Sequence, residues 1–195
     1  MWIGPSRCDE RRSAREKDIE RIWSELISTR GYRETYPLLA PAIDLFREAL
    51  SCYQNGAYMA TVLMCRACIE TSIYLLTSRE IRWREDLKMV QEVKVDYDLI
   101  RAEWKCILCR AKSDGYINDE LEQELRDIRE SGNFAAHYGQ RFDKEIVRKI
   151  EDRRVGEVKG WIKREDSLQT LHRTANVLKA LMGKTFDKCN LNKAI

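Results

Sequence analysis

Glycine and proline are scarce in this chain, whose 195 residues include nine glycines and three prolines. This composition is poor for a β-sandwich, which needs turn residues at short intervals. Charged residues make up 34% of the chain, as is typical of long, solvated helices. We therefore expect an all-α fold, most simply one domain with a helical appendage.

Long apolar runs are also missing. No stretch approaches the roughly 20 apolar residues that span a bilayer. The N-terminal residues 1–5 lack the apolar core of a signal peptide. These absences predict a cytoplasmic protein with no membrane partner.

An excess of charge of one sign is missing as well. The 35 basic residues are nearly matched by 32 acidic ones, and the net charge is +3. So small an excess does not by itself indicate a nucleic-acid-binding protein, and any basic surface must be local. Nine basic and five acidic residues do concentrate between Arg141 and Arg164. This run is either a solvated face or a guide for a polyanion.

Cysteine, in contrast, is abundant: the chain has seven, which we interpret as thiols because no secretion signal accompanies them. Two C-x-x-C pairs, Cys65 with Cys68 and Cys106 with Cys109, have the spacing of a four-thiolate zinc site. Both pairs lie in apolar helical pattern without a glycine-rich knuckle. Core packing is therefore the favoured interpretation, zinc the lesser alternative, and no other cofactor is expected.

The N-terminal part predicts an amphipathic helix from Asp9 to about Thr29, with its apolar residues on one stripe. Gly31 would end this helix, and Pro37 and Pro41 would separate it from the rest. The chain is thus divided into an extension, residues 1–35, and a bundle domain, residues 36–195. The extension serves either dimerisation or docking on the domain, and the sequence leaves both open.

Within the bundle, apolar periodicity predicts five helices. Their expected ranges are Ala42–Gln54, Ala57–Leu76, Tyr97–Lys112, Asp119–Ile128 and Asp166–Lys184. Residues 78–96 have no clean period and predict a connection with one turn of helix. His172 falls near the inner stripe of the last helix, where a structural role is expected.

The second of these helices is the most apolar, and it carries two charges. Arg66 and Glu70 lie four residues apart on one face. Charges among hydrophobic residues are costly unless they pair or bind something. The sequence is compatible with a structural salt bridge and with a role facing a ligand.

The stretch from Ile128 to Tyr138 concentrates chemically capable side chains. Gly132 is expected to end one helix, and Asn133 to cap the next. Asn133 and His137 would then share a face, with Arg129 just before the break. An arginine, an amide and an imidazole around a kink form a candidate phosphate or nucleotide site. The alternative is a tight helix-packing corner.

Two motifs of this chain together carry a resemblance to a known family: Arg66-x-x-x-Glu70 on the buried helix, and the string Ile128-Arg129-Glu130-Ser131-Gly132-Asn133-Phe134-Ala135-Ala136-His137. They resemble a prokaryotic branch of the HEPN superfamily (higher eukaryotes and prokaryotes nucleotide-binding). The resemblance covers roughly Ala42 to Leu181. It implies an up-and-down bundle of four or five helices that dimerises, with the two motifs meeting near the two-fold axis. Many HEPN proteins are metal-independent endoribonucleases of toxin–antitoxin, phage-defence and RNA-processing systems, and others bind nucleotides or proteins.

In this chain seven residues separate Arg129 from His137, more than is usual in the active HEPN nucleases. We therefore expect a homodimer that binds RNA or a nucleotide through Arg129, Asn133 and His137, as part of a defence, toxin–antitoxin or stress system. Arg66 and Glu70 would support the site, and Tyr138 could stack on a base.

Two rival functions remain. The first is an endoribonuclease in which His137 transfers protons, Arg129 stabilises the phosphorane and Asn133 assists. One histidine per chain cannot easily do both proton transfers, so a dimer would matter to that mechanism. The second rival is a scaffold that recruits a protein partner through its N-terminal helix.

Overall fold

The computed structural model describes residues 5–84, 86–96, 98, 102–137 and 162–191. Within these ranges the chain forms helices and one two-stranded antiparallel sheet. The elements in order are α1 (Pro5–Ile27), α2 (Tyr32–Gln54), α3 (Tyr58–Thr77), β1 (Arg79–Arg84), β2 (Met89–Val95), α4 (Trp104–Ser113), α5 (Asp119–Ala136) and α6 (Arg164–Leu191). The predicted all-α helical bundle is confirmed, with a small hairpin added to it.

Helix α3 lies at the centre and packs against α2, α4, α5 and α6. Its side chains Cys65, Ile69 and Ile73 are fully buried. Contrary to the expectation that no stretch approaches a bilayer span, α3 is, among the described residues, the one helix long and apolar enough to cross a membrane. Half of that stretch is buried inside the bundle. The apolar character of α3 is thus explained by its position in the core of the bundle.

Helix α1 docks on the bundle, which is one of the two uses that the sequence left open for this helix. Its stripe residues Ile22 and Leu26 are buried in the common core, against α2 and α6. A polar node fixes the same contact. The hydroxyl of Tyr53 donates to Asp18 at 2.9 Å, and Arg164 donates both to Tyr53, at 3.0 Å, and to Asp18, at 2.8 Å.

Helix α2 begins ten residues earlier than predicted, at Tyr32 rather than Ala42. Pro37 and Pro41 were expected to separate elements, and this expectation is wrong because both lie inside the helix. They are four residues apart on its exposed side, where water can satisfy the carbonyl groups that proline leaves without a donor. The expected boundary between residues 35 and 36 falls within α2.

Residues 78–96 form a hairpin instead of the predicted connection with one helical turn. Strands β1 and β2 pair antiparallel, from Arg79 opposite Val95 to Arg84 opposite Met89. A β-bulge interrupts the register next to Glu80. The hairpin packs on α2, α3 and α6, so it closes one end of the bundle.

Helix α4 is shorter than predicted. It begins at Trp104, whereas the sequence predicted a start at Tyr97, which lies outside the described residues. Gly115, with φ of +77°, follows the helix end as expected. Asn118 caps α5 as predicted, since its side-chain oxygen accepts a hydrogen bond from the N–H of Leu121 at 3.0 Å.

Helix α6 extends beyond its predicted range at both ends and buries Leu171, Leu178 and Leu181. His172 lies on the α1 side of this helix, with its Nε2 atom 3.2 Å from Nη2 of Arg21. Burial, and then the charge of Arg21, lowers the pKa of His172. These contacts agree with the structural role expected for this histidine.

Candidate functional site

Helix α5 carries most of the candidate site and runs without a break from Asp119 to Ala136. The predicted helix end at Gly132 and the predicted N-cap at Asn133 are therefore wrong. His137 is instead the C-terminal cap residue, and its N–H donates to the carbonyl of Asn133 at 3.0 Å. Arg129, Asn133 and His137 consequently follow at four-residue intervals on one continuous helix.

Gly132 serves close packing between α5 and α3. It is buried, and a Cβ atom added there would lie 2.5 Å from both Cβ and Cδ of Arg66. No side chain larger than hydrogen fits this space without movement of the arginine. Gly132 therefore has the packing role that the sequence offered as the alternative to a binding site. It lies where α5 crosses α3, and not at a corner between two helices.

Glu70 joins the two arginines of the candidate site. Its Oε1 atom accepts hydrogen bonds from Nε of Arg66 at 3.0 Å and from Nε of Arg129 at 2.9 Å. The three side chains are 24% to 34% exposed, so water screens this cluster only in part. The i, i+4 pair on α3 was foreseeable, and the structure adds Arg129 from α5 to it.

A tryptophan that the sequence analysis did not select completes this cluster. Cζ of Arg129 lies 5.5 Å from the centre of the Trp104 ring, in the arrangement of a cation–π contact. The indole Nε1 of Trp104 is buried and has no hydrogen-bond partner among the described residues. Arg129 is thus held on two sides, by a carboxylate and by an aromatic face.

A cavity of about 360 Å³ opens between α4 and α5 at this point. Its lining residues are Trp104, Gln123, Arg126, Arg129, Glu130 and Asn133. Sequence analysis did not identify Trp104, Gln123 and Arg126 as site residues. The sequence of α4 shows only a core pattern, and Gln123 and Arg126 precede the motif that begins at Ile128.

The cavity is rich in hydrogen-bond donors. Arg126 is anchored to Glu122, since its Nε donates to the carboxylate at 3.0 Å. This hydrogen bond lowers the pKa of Glu122, and the hydrogen bond from Lys112 lowers it further by a smaller amount. Among the described residues, Arg129 hydrogen-bonds through Nε to Glu70, and its two Nη groups have no partner there that would exclude a ligand. Two guanidinium groups and two amides, against the single carboxylate of Glu130, suit an oxyanion with several acceptor oxygens.

His137 does not join this cavity. It is exposed at the end of α5, and the eight residues from Arg129 correspond to about 12 Å along the helix axis. The structure thus brings Arg66, Glu70, Arg129 and Asn133 together and leaves His137 two turns away. Tyr138 and most of the basic run, residues 141–161, lie outside the described residues.

A larger cavity, of about 560 Å³, lies on the other flank of α5, between α3 and α6. The side chains of Asp127, Glu130 and Asp166 line it together with one cation, Arg173. Arg173 already pairs with Asp127 and with Glu124. This acidic lining does not suit a phosphate, so size alone does not select the candidate site.

The four cysteines of the zinc alternative do not converge. Cys65 and Cys68 are fully buried in the core, whereas Cys106 and Cys109 are exposed on α4. Among the described residues, no group of three or more potential ligands could hold a metal ion. A zinc site built from these four residues of one chain is therefore excluded, and the packing interpretation holds for the core pair.

Comparison with known proteins adds no relative from which a role could be transferred. No family model matches the chain, no curated protein is significantly similar to it, and no solved structure matches its fold.

Proposed function

We propose that the protein binds RNA or a nucleotide in the cavity between α4 and α5. The observation that carries this proposal is the pair of guanidinium groups, Arg126 and Arg129, each anchored by a carboxylate and both lining one donor-rich cavity. Phosphate oxygens would accept hydrogen bonds from these groups, and the Trp104 side chain lines the same cavity. The half-buried Asn133 amide is suited to contact a base edge.

The position of His137 favours binding over cleavage. Cleavage needs a proton-transfer group and a phosphate-binding cation on the same phosphorus. At about 12 Å along the helix axis, His137 and Arg129 of one chain are better placed for neighbouring nucleotides of a strand. The endoribonuclease alternative therefore requires His137 of a second copy, in the homodimer that the HEPN resemblance implies. The defence, toxin–antitoxin or stress role also belongs to this proposal.

The test of binding is fluorescence anisotropy with a labelled single-stranded RNA over a range of salt concentrations. Arg126→Ala should weaken binding of all sequences and lower the salt slope by about 0.7, the contribution of one phosphate contact on a single strand. Asn133→Ala should weaken binding without changing the slope. Arg33→Ala, on the exposed surface of α2, is the control and should match wild type. Equal binding by all four proteins would refute the site.

Two further arms distinguish the ligand and the chemistry. Displacement of the labelled RNA by a mononucleotide at similar concentration would identify a nucleotide site, and lack of displacement an RNA site. Incubation of a mixed RNA pool in EDTA tests cleavage. Fragments with 2′,3′-cyclic phosphate ends from wild type, absent with His137→Ala, would establish the endoribonuclease instead.

A further inference from the structure

The two C-x-x-C pairs share one spacing but have opposite environments. Cys65 and Cys68 have no exposed surface, while Cys106 and Cys109 are both exposed on α4. Because the exposed pair is spaced by three residues in a helix, both sulfurs lie on the same face. That face is turned away from Ile107 and Leu108, which are buried in the core.

Among the cysteines whose side chains the structure describes, only this exposed pair is available for chemistry. Burial raises the pKa of Cys65 to about 12 and that of Cys68 well above its usual value, so both stay protonated near neutral pH. Burial also raises the pKa of Cys52 and of Cys189. Since the thiolate is the form that binds metals, these four cysteines are unsuited to be ligands.

Basic side chains accompany both surface thiols. Lys105 lies one helical turn before Cys109, and Arg110 one turn after Cys106, and both are exposed. A zinc ion with four thiolate ligands carries a net charge of −2. Lys105 would compensate part of that charge, and Arg110, which also pairs with Asp114 at 2.8 Å, would add to it. An exposed dithiol between lysine and arginine is therefore a suitable half-site for a soft divalent cation.

One chain does not complete such a site. Among the described side chains no third ligand adjoins the pair, and outside them the sequence contains one cysteine, Cys8 on α1, and no histidine. Zinc in structural sites takes four ligands in a tetrahedron. Two thiolates from a second copy of this chain would supply the missing pair with the same geometry.

We propose that Cys106 and Cys109 form half of a tetrahedral zinc site that the same two cysteines of a second copy complete. On binding, four thiols release four protons to solvent, four zinc–sulfur bonds form, and the ion loses its bound water. No oxidation takes place. The site makes the outer face of α4 a metal-dependent contact between two copies.

The test is a titration of the reduced, metal-free protein with Co²⁺, which takes the same geometry as zinc and absorbs visible light. We expect thiolate-to-cobalt charge-transfer bands and tetrahedral d–d bands that saturate at one ion per two chains. Zn²⁺ should abolish these bands by displacement. Cys106→Ser and Cys109→Ser should each lose most of the signal, while Cys52→Ser on α2 should retain it.

Saturation at one ion per chain would overturn the shared site. Absence of charge-transfer bands would overturn it as well, as would bands that persist in a variant with both surface cysteines replaced. Formation of a disulfide within the pair and no cobalt binding would count equally against it. RNA binding measured in EDTA is independent of these outcomes, so failure of the metal site leaves the proposed function untouched.

Discussion

Glu70 on α3 and Arg129 on α5, 59 residues apart in the sequence, are joined by a hydrogen bond of 2.9 Å between Oε1 and Nε. The same oxygen accepts from Arg66, so one carboxylate holds two guanidinium groups. This arrangement presents Arg129 to the cavity in a fixed orientation, which reduces the entropy that a ligand must overcome on binding.

Glu70→Gln should destabilise the protein, because it keeps the size of the side chain and leaves two half-buried guanidinium groups without their anion. We expect the free energy of unfolding to fall by about 1–2 kcal/mol, less than for a fully buried pair because water screens the cluster in part. Urea denaturation measures this change. Asp86→Asn, which breaks the exposed pair with Arg84, is the matched control and should have no measurable effect. Equal behaviour of the two variants would contradict a stabilising role for Glu70.

Gly132→Ala should also be destabilising, by about 1–3 kcal/mol, since the added methyl group overlaps the Arg66 side chain. Gly183→Ala in α6 should have the opposite effect. Nothing lies within 4 Å of the added Cβ atom there, and alanine in a helix interior gains about 0.5–1 kcal/mol over glycine. Thermal unfolding of both variants compares them directly. Stabilisation by both would show that α3 and α5 are not in close contact at Gly132.

The two cysteine pairs should differ in reactivity towards an alkylating reagent. Cys106 and Cys109 are exposed and should be modified in the folded protein, whereas Cys65 and Cys68 should react only after unfolding. Peptide mapping after short and long exposure to iodoacetamide measures each site. Labelling of the core pair at the rate of the surface pair, without denaturant, would be incompatible with the described packing of α3.

Stability should depend on pH through His172. Because burial and Arg21 lower its pKa in the folded protein, the unfolded chain binds more protons than the folded one as the pH approaches 6.5 and falls below it. The free energy of unfolding should therefore decrease as the pH falls from about 7.5 through that value, and should level off below the folded pKa. Urea denaturation of wild type and His172→Gln measures the difference. An unchanged pH dependence in the variant would exclude this histidine as its source.

Much of the helical framework was predictable because its signals are local. Asn118 caps α5 through its own side chain, and the apolar run of α3 marks the core helix wherever it is placed. The pairing of Arg66 with Glu70 also follows from a spacing of four within one helix.

The errors arose where tertiary contacts overrode local preference. Gly132 and Asn133 favour a helix end, yet packing against Arg66 keeps α5 continuous through both. The hairpin does have a local signal, since Ile81 and Trp83 alternate with charged residues at the period of a strand. The contact of Trp104 with Arg129 has no sequence signal, because nothing in the sequence of α4 or α5 indicates that these two side chains meet.

The polar node between Asp18 and Arg164 closes a loop of 146 residues, so it determines when the N-terminal helix acquires its full set of partners. During synthesis, α1 leaves the ribosome before α6, which covers part of the apolar stripe of α1. Until α6 is made, Ile22 and Leu26 lack one of the helices that bury them. A nascent chain that stalls before Arg164 therefore exposes apolar surface of α1 that promotes aggregation.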